Sequence, residues 1–178
     1  MYTSADLARS FRTVRKNTLL IAEDIPADKW SFHAAPGART IAELFAHVAA
    51  LTRTPQQLHL VDGKTFITPD EFRALGADNA AYEKTLKTRD EILRALEENG
   101  EDFARRLDVL TPAQLSTAVN FPPPIDPPSK TRFELLLGVK EHEMHHRGQL
   151  MLLQRLVGVV PHLTRQRQAR AQTPTPTR

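Results

Sequence analysis

The sequence predicts an all-α protein built as a four-helix bundle. Four segments place apolar residues at the three- and four-residue spacing of amphipathic helices, and no segment alternates apolar and polar residues as a half-buried strand does. Residues 120–128 contain five prolines and cannot be helical, so they predict a stiff, extended crossover between two helices. A chain of 178 residues fits one domain of this kind.

The first helix is predicted to run from about Ser4 to Asp24. Its apolar seam recurs in alternating steps of four and three residues, as in helical bundles, at Leu7, Phe11, Val14, Thr18, Ile21 and Ile25. Pro26 ends the helix, because proline has no N–H with which to continue it. Residues 30–39 contain Pro36-Gly37 and are predicted to form a loop.

A second helix is predicted to begin after Thr40. Thr40-Ile41-Ala42-Glu43 has the form of a capping box, in which the threonine and glutamate side chains satisfy backbone N–H groups at a helix start. Apolar spacing then continues through Leu44, His47, Val48 and Leu51. Pro55 should kink this helix or divide it from a segment that reaches Val61.

A third long helix is predicted over about residues 79–98. Thr68-Pro69-Asp70-Glu71 is another capping signal, which opens either a short separate helix or the lead-in to the third one. Asn99-Gly100 is a typical helix stop, although Phe103 and Leu107 continue the apolar pattern, so this boundary stays open.

The fourth long helix is predicted to start at the capping box Thr131-Arg132-Phe133-Glu134 and to reach about Val157. Gly158 and Pro161 mark its end. Residues 1–163 are therefore assigned to one bundle domain. Residues 164–178 carry four arginines, no acidic residue and almost no apolar one, so they predict a disordered basic tail.

Charge and composition limit the classes of function. The net charge is +3, and without the four tail arginines it would be −1, so the folded part is nearly neutral and no nucleic-acid partner is expected. No signal peptide and no membrane-spanning stretch is visible, and a cytoplasmic location is expected. The absence of cysteine excludes disulfides, thiolate metal sites and cysteine nucleophiles, so a metal would need nitrogen and oxygen ligands.

Three of the seven histidines fall within the fourth predicted helix, at His142, His145 and His146. At about 100° per residue, His142 and His146 lie about 40° apart, on a stripe with Leu135, Gln149 and Leu153 that we expect to be buried. Imidazoles four residues apart on a helix can bind one metal ion. His145 falls at the edge of this stripe.

A third ligand should come from another helix, and His47 is the natural choice among Leu44, Val48 and Leu51. His59 lies about 120° away from His47 if the second helix is continuous, and Pro55 makes that uncertain. His33, His59 and His162 are interpreted as surface residues.

The sequence resembles the DinB-like superfamily of small helical bundles, which includes YfiT-type proteins and thiol-dependent transferases. The segments that carry the resemblance are Ile25-Pro26-Ala27-Asp28-Lys29-Trp30, residues 36–44 and His142-Glu143-Met144-His145-His146-Arg147-Gly148-Gln149, which is similar to the family's H-x-x-x-H-R-G-Q signature. The resemblance implies an up-down-down-up bundle, a divalent metal at one end held by His47, His142 and His146, and homodimerisation. His145 is an extra imidazole inside the signature.

Residues near the three candidate ligands are given roles other than metal binding. His145 is expected at the mouth of the site rather than among the ligands. Glu43 could orient His47, but its place in the capping box already explains it. Gln149 supports either the site or a helix contact, and the sequence does not separate the two. Gly148 is expected to permit close helix packing, and Arg147 points away from the stripe.

Three neutral imidazoles leave a divalent ion its full charge and an open position, as in catalytic sites. The leading hypothesis is a metal-dependent enzyme that activates a small thiol or water for attack on a small electrophile, with the thiol implied only by the resemblance. Zinc is the first choice of metal and nickel the second. The alternative is a non-catalytic, metal-binding stress-response bundle that acts as a dimer, and a third reading is a bundle with plain core histidines.

Overall fold

The computed structural model describes residues 2–172, and this part of the chain is mainly helical, as the sequence predicts. In chain order the helices are α1 (Ser4–Asp24), α2 (Ile41–Ala50), α3 (Arg53–Pro55), α4 (Pro69–Glu83), α5 (Arg89–Asp108), α6 (Pro112–Ser116), α7 (Arg132–Leu156) and α8 (His162–Gln172). The bundle consists of α1, α2, α5 and α7, in which α1 and α2 each pack against both α5 and α7. No helix within residues 2–172 has the length and apolar character needed to cross a membrane.

The direction of α5 follows from its contacts with both ends of α1. Near the start of α1, the Ser4 hydroxyl donates a hydrogen bond to the Asp108 carbonyl over 3.5 Å. Near its end, the Arg89 guanidinium donates to the Ala22 carbonyl over 3.4 Å. The two helices are therefore antiparallel.

The direction of α7 follows in the same way. The Tyr2 ring packs edge-on against Phe133 at a centroid distance of 5.8 Å, and further along α1 the Thr18 hydroxyl donates to Glu143 over 2.7 Å. Helix α7 therefore runs parallel to α1.

Helix α2 runs antiparallel to α7. Leu44, early in α2, lines a cleft together with Leu153, whereas Leu51, just after α2, lines another with Gly138. The four long helices thus have the up-down-down-up arrangement, which confirms the fold class.

Two apolar clusters form the core of the bundle. One surrounds Phe45, Leu96 and Leu150, and the other surrounds Phe11 and Phe103, whose rings meet edge-on at 5.0 Å. A smaller cluster of Leu58, Ile67 and Val119 lies beside them.

Capping boxes set the helix starts. Thr40 with Glu43 and Thr131 with Glu134 form the predicted boxes at α2 and α7. Each threonine hydroxyl accepts a bond from the glutamate N–H, and each glutamate carboxylate accepts one from the threonine N–H. Both predicted helix starts are confirmed.

The prediction of one third helix over residues 79–98 is wrong. Residues Pro69–Glu83 form the separate helix α4, and α5 begins at Arg89, where Thr88 and Glu91 form a capping box that the prediction did not use. Helix α5 also continues past Asn99-Gly100 to Asp108. The apolar pattern through Phe103 was the better guide to this boundary, because both core clusters contain residues of α5.

Gly100 faces α1 so closely that a side chain does not fit. A Cβ at this position would lie 2.7 Å from Arg15 Nη1 and 3.0 Å from Arg15 Cγ. We expect Gly100→Ala to lower the free energy of unfolding by about 1–3 kcal/mol, as overpacking does, in a urea titration.

Gly76→Ala is the matched control for that substitution. Gly76 lies in α4 with no atom within 4 Å of a built Cβ. The free energy of unfolding of Gly76→Ala should rise by up to about 1 kcal/mol from helix propensity alone. Equal effects at both positions would contradict the close approach of Arg15.

The expectation that no strand occurs is also wrong. Ala118–Asn120 (β1) and Ser129–Thr131 (β2) pair antiparallel, and Val119 at the centre of β1 is buried. Three-residue strands are too short to show alternation in a sequence. The proline-rich residues 121–128 form the loop between β1 and β2 instead of one extended crossover.

The predicted disordered tail differs from the structure over residues 164–172, which belong to α8. The start of α8 is tied to α1, since His162 Nε2 lies 3.0 Å from Asn17 Oδ1 and Arg165 pairs with Asp24 at 2.9 Å. Residues 173–178 lie outside the described residues. The assignment of residues 1–163 to one domain stays a prediction.

Candidate metal centre

Three histidines from two helices, α2 and α7, lie close together. One ring nitrogen each of His47, His142 and His146 lies within 4.8 Å of the other two, a group that could hold a metal ion. The His47 ring is 5.6 Å from that of His142 and 4.8 Å from that of His146, measured between centroids. The structure therefore brings together the three residues singled out in the sequence.

The spacing of two of these nitrogens suits a common ion. His142 Nε2 and His146 Nε2 are 2.9 Å apart. Two nitrogens bound to one tetrahedral zinc ion at 2.0–2.1 Å lie about 3.3 Å apart, so a small side-chain movement makes the fit.

Glu83 orients His47. Its Oε1 lies 2.7 Å from His47 Nδ1, and its Oε2 lies 3.7 Å from Arg39 Nη2. A carboxylate accepts a bond from Nδ1–H, which leaves the Nε2 lone pair of His47 free for a metal. Glu83 was missed in the sequence, whereas Glu43 forms the cap with Thr40, as expected.

Gln149 orients His146, which answers the question that the sequence left open. Gln149 Oε1 lies 2.8 Å from His146 Nδ1, and Gln149 Nε2 lies 3.1 Å from His145 Nε2. An amide oxygen accepts from Nδ1–H and again leaves Nε2 as the metal-binding atom. His145 stays outside the group of three.

Burial favours the neutral form of two candidate ligands. It lowers the pKa of His146 to about 4, although the hydrogen bond that His146 donates to Gln149 opposes the shift. Partial shielding of its ring from water and, secondly, the nearby His47 lower the pKa of His142, although the residue as a whole is exposed. A neutral imidazole is the form that binds metals, so little proton competition arises near neutral pH.

The predicted orientation of α7 is wrong by about 70° around the helix axis. Its buried face is formed by Leu136, Val139, Glu143, His146, Leu150 and Leu153. His142, expected on the buried stripe, is exposed, and so is Gln149. The histidine group consequently lies at the edge of the core, where one side opens to solvent.

A buried ion pair lies next to the histidines and was not predicted. Arg15 Nε lies 2.9 Å from Glu143 Oε1, and Arg15 Nη2 lies 3.0 Å from Glu143 Oε2. Both residues are almost completely shielded, at 4% and 0% exposure. The same guanidinium donates to the carbonyls of Leu96 and Val48, so the pair joins all four long helices.

Two histidines interpreted as surface residues are buried. His59 is 6% exposed because the chain after Pro55 forms a π-helical turn, Gln56–Val61, which changes the direction of the side chains that follow. His162 is covered at the contact with Asn17. Only His33 of the three is exposed, as expected.

His59 should make the fold acid-sensitive. Burial, with a smaller effect of Arg132, lowers its pKa to about 4 from 6.5. Protonation of His59 is less favourable in the folded state than in the unfolded state. The folding stability that depends on neutral His59 is therefore complete above pH 6.5 and is lost as the pH falls toward 4. A pKa shift of this size corresponds to about 3 kcal/mol of folding free energy. Urea titrations should show that the free energy of unfolding falls less between pH 7 and pH 4.5 in His59→Phe than in the unchanged chain. The control His33→Phe should lose as much as the unchanged chain.

Gly148 does not make the close helix contact that was expected. A Cβ built there meets no atom within 4 Å among the described residues, and the position is exposed.

The chain is similar to known proteins in sequence and in fold. A sequence model of the DinB superfamily matches residues 10–150. A search of curated proteins gives no significant match. A DinB-like protein, YjoA, from Bacillus subtilis superposes with a TM-score of 0.62 at 22% identity, over 85% of this chain and 91% of that one. At this identity the likeness concerns the fold alone.

Proposed function

This chain belongs to the DinB superfamily, and on that premise we propose that it is a metal-dependent enzyme. Its ligands are His47, His142 and His146, and it activates a small thiol or water for attack on a small electrophile. The observation that carries the proposal is the meeting of three imidazole nitrogens within 4.8 Å at a solvent-facing edge of the core.

The donor set favours catalysis over a purely structural role. Structural zinc sites are closed by four protein ligands, whereas three histidines leave a position open. His142 is exposed, so small molecules can approach the group from its side. A non-catalytic, metal-binding dimer remains the alternative that the assays below distinguish.

Zinc is our first choice of metal and nickel the second, because imidazole suits both. Such an ion, when bound, lowers the pKa of a water or thiol beside it. The protein's own residues hold the ligand rings in place. Glu83 and Gln149 fix the Nδ1 protons of His47 and His146 and so present their Nε2 atoms.

The Glu83 carboxylate should strengthen metal binding. We expect Glu83→Gln to weaken zinc affinity by about 10–100-fold, the usual cost of losing a group that orients a ligand. Isothermal titration calorimetry on metal-free protein measures this. Glu141→Gln is the control, since Glu141 is exposed and next to His142. Equal affinity of the two variants would contradict the role of Glu83.

Turnover decides between the enzyme and the alternative. Zinc- or nickel-loaded protein is incubated with a panel of small thiols, or with water alone, and small electrophiles, and product is measured by mass spectrometry. Turnover that disappears in His146→Ala supports the enzyme. A metal effect confined to thermal stability supports the non-catalytic reading.

We also propose that the chain forms a homodimer. Helix α7 exposes Met144, Leu152 and Leu156, at 42%, 57% and 54% of their surface. Light scattering after gel filtration should give twice the monomer mass of 20.0 kDa. A monomer mass at micromolar concentration would contradict it.

A further inference from the structure

A second feature adjoins the histidine group on the side of His142. A partly open cleft of about 200 Å³ runs between α7 and the segment that follows α2. Its walls are mainly apolar, with Leu51, Leu58, Ile67, Phe121 and Val139, and His142 also lines it. A cavity smaller than the roughly 300–1,000 Å³ of sites for drug-sized ligands fits one small apolar group.

His59 is the one imidazole in the cleft besides the candidate ligand His142. It is 6% exposed, and its Nδ1 has no hydrogen-bond partner in the described part of the chain. A neutral imidazole carries one donor and one acceptor, and buried polar groups are normally paired. The ring therefore has a hydrogen-bonding capacity that the protein itself does not use.

The local backbone also singles out this position. His59 lies within the π-helical turn Gln56–Val61. This turn begins directly after Pro55, which has no N–H for an ordinary helical hydrogen bond. Single π-helical turns are frequent at functional sites. An ordinary α-helix through these residues would have pointed the His59 side chain in a different direction.

We propose, on the premise of the function above, that this cleft binds the apolar part of the substrate electrophile. His59 forms a hydrogen bond with a polar atom of the same molecule and acts as a positioning residue. The substrate class is a small molecule with an aryl or branched alkyl group next to a hydroxyl, carbonyl or amine. Because His142 lines the cleft, such a molecule lies beside the candidate metal centre.

Gly138 offers a way to fill the cleft without disturbing the core. It lines the cleft, yet a Cβ built on it meets no atom within 4 Å. Gly138→Leu should therefore fold and occupy the space. Gly148→Leu is the matched control, since Gly148 lies on the same helix, also has no atom within 4 Å of a built Cβ, and does not line the cleft.

The probe is benzyl alcohol, titrated into isotope-labelled full-length protein with and without zinc and followed by two-dimensional NMR. Resonances of cleft residues should shift in the unchanged protein and in Gly148→Leu. Gly138→Leu should weaken binding by more than about tenfold, since the apolar contact is lost. Absence of binding up to 20 mM, or equal binding by Gly138→Leu, would overturn the proposal.

A second variant tests His59. Ethylbenzene has nearly the shape of benzyl alcohol without its hydroxyl. His59→Phe should weaken benzyl alcohol about fivefold, the worth of one hydrogen bond, and change ethylbenzene less than about twofold. Equal loss for both probes would overturn the positioning role. If His59→Phe does not fold, the Gly138→Leu comparison still decides whether the cleft is a ligand site.

The two proposals fail in different ways. Zinc binding without benzyl alcohol binding overturns the cleft and leaves the metal function standing. Benzyl alcohol binding in a protein that takes up neither zinc nor nickel supports the cleft and overturns the metal function.

Discussion

Replacing His146 by alanine is expected to abolish stoichiometric zinc binding, with a loss of affinity greater than about 100-fold. Loss of a group that only orients a ligand already costs about 10–100-fold, so loss of the ligand itself should exceed that. His146 contributes a buried imidazole whose Nε2 lies 2.9 Å from that of His142. Elemental analysis of purified protein, followed by calorimetric zinc titration, measures the effect.

The control for this experiment is one residue away. His145→Ala removes an imidazole from the same helix, but His145 lies outside the group of three and contacts Gln149 instead. Zinc affinity should change by no more than a few-fold. Equal losses in both variants would give His145 a place among the ligands. A wild-type protein without stoichiometric metal would contradict the site altogether and leave plain core histidines.

Much of the fold follows from local signals in the chain. Threonine and glutamate three residues apart begin helices because each satisfies a backbone N–H of the other, and this signal needs no tertiary contact. It located the starts of α2 and α7 correctly. The same signal at Thr88 and Glu91 would have located α5 as well. The short hairpin left no periodicity to detect.

The rotation of α7 could not be predicted as reliably as its length. A helical wheel assumes that apolar residues mark the buried side, and on that basis His142 and Gln149 faced the core. The side actually buried includes Glu143, an acidic residue whose burial depends on Arg15 of another helix. A charge partner distant in sequence reverses the usual meaning of a carboxylate on a helix face.

The surroundings of the histidines depend on tertiary contacts of the same kind. Glu83 reaches His47 from the end of α4, in residues that the prediction assigned to the third long helix. His59 turns inward through a π-helical turn. Spacing identified His142 and His146 as a pair, and the resemblance supported His47. Gln149 orients His146 from within α7, whereas Glu83 reaches His47 only through the packing of α4.

Removing the Glu143 carboxylate should be among the most destabilising single changes in this chain. Glu143→Ala leaves the Arg15 guanidinium buried and unpaired, at 4% exposure. Breaking a buried ion pair from one side costs about 3–5 kcal/mol. Urea unfolding followed by circular dichroism should show this loss. Glu141→Ala, at an exposed position of the same helix, should change stability by less than about 0.5 kcal/mol.

The double variant Arg15→Met with Glu143→Leu separates stability from positioning. Apolar pairs of similar volume often replace buried ion pairs at no cost or with a gain of about 1–4 kcal/mol. We therefore expect the double variant to be close to the unchanged protein in stability, although Glu143→Ala alone is not. A loss below about 1 kcal/mol in Glu143→Ala would contradict the ion pair as the cause.

Zinc affinity of the same double variant tests why the chain keeps a charged pair at this place. Arg15 holds Glu143 and the carbonyls of Leu96 and Val48, so it fixes the rotation of α7 relative to α2. That rotation sets how His142 and His146 meet His47. If positioning is the reason, the stable double variant binds zinc about tenfold less tightly, a loss like that of other supporting groups. Unchanged zinc affinity would show that apolar packing alone aligns the two helices.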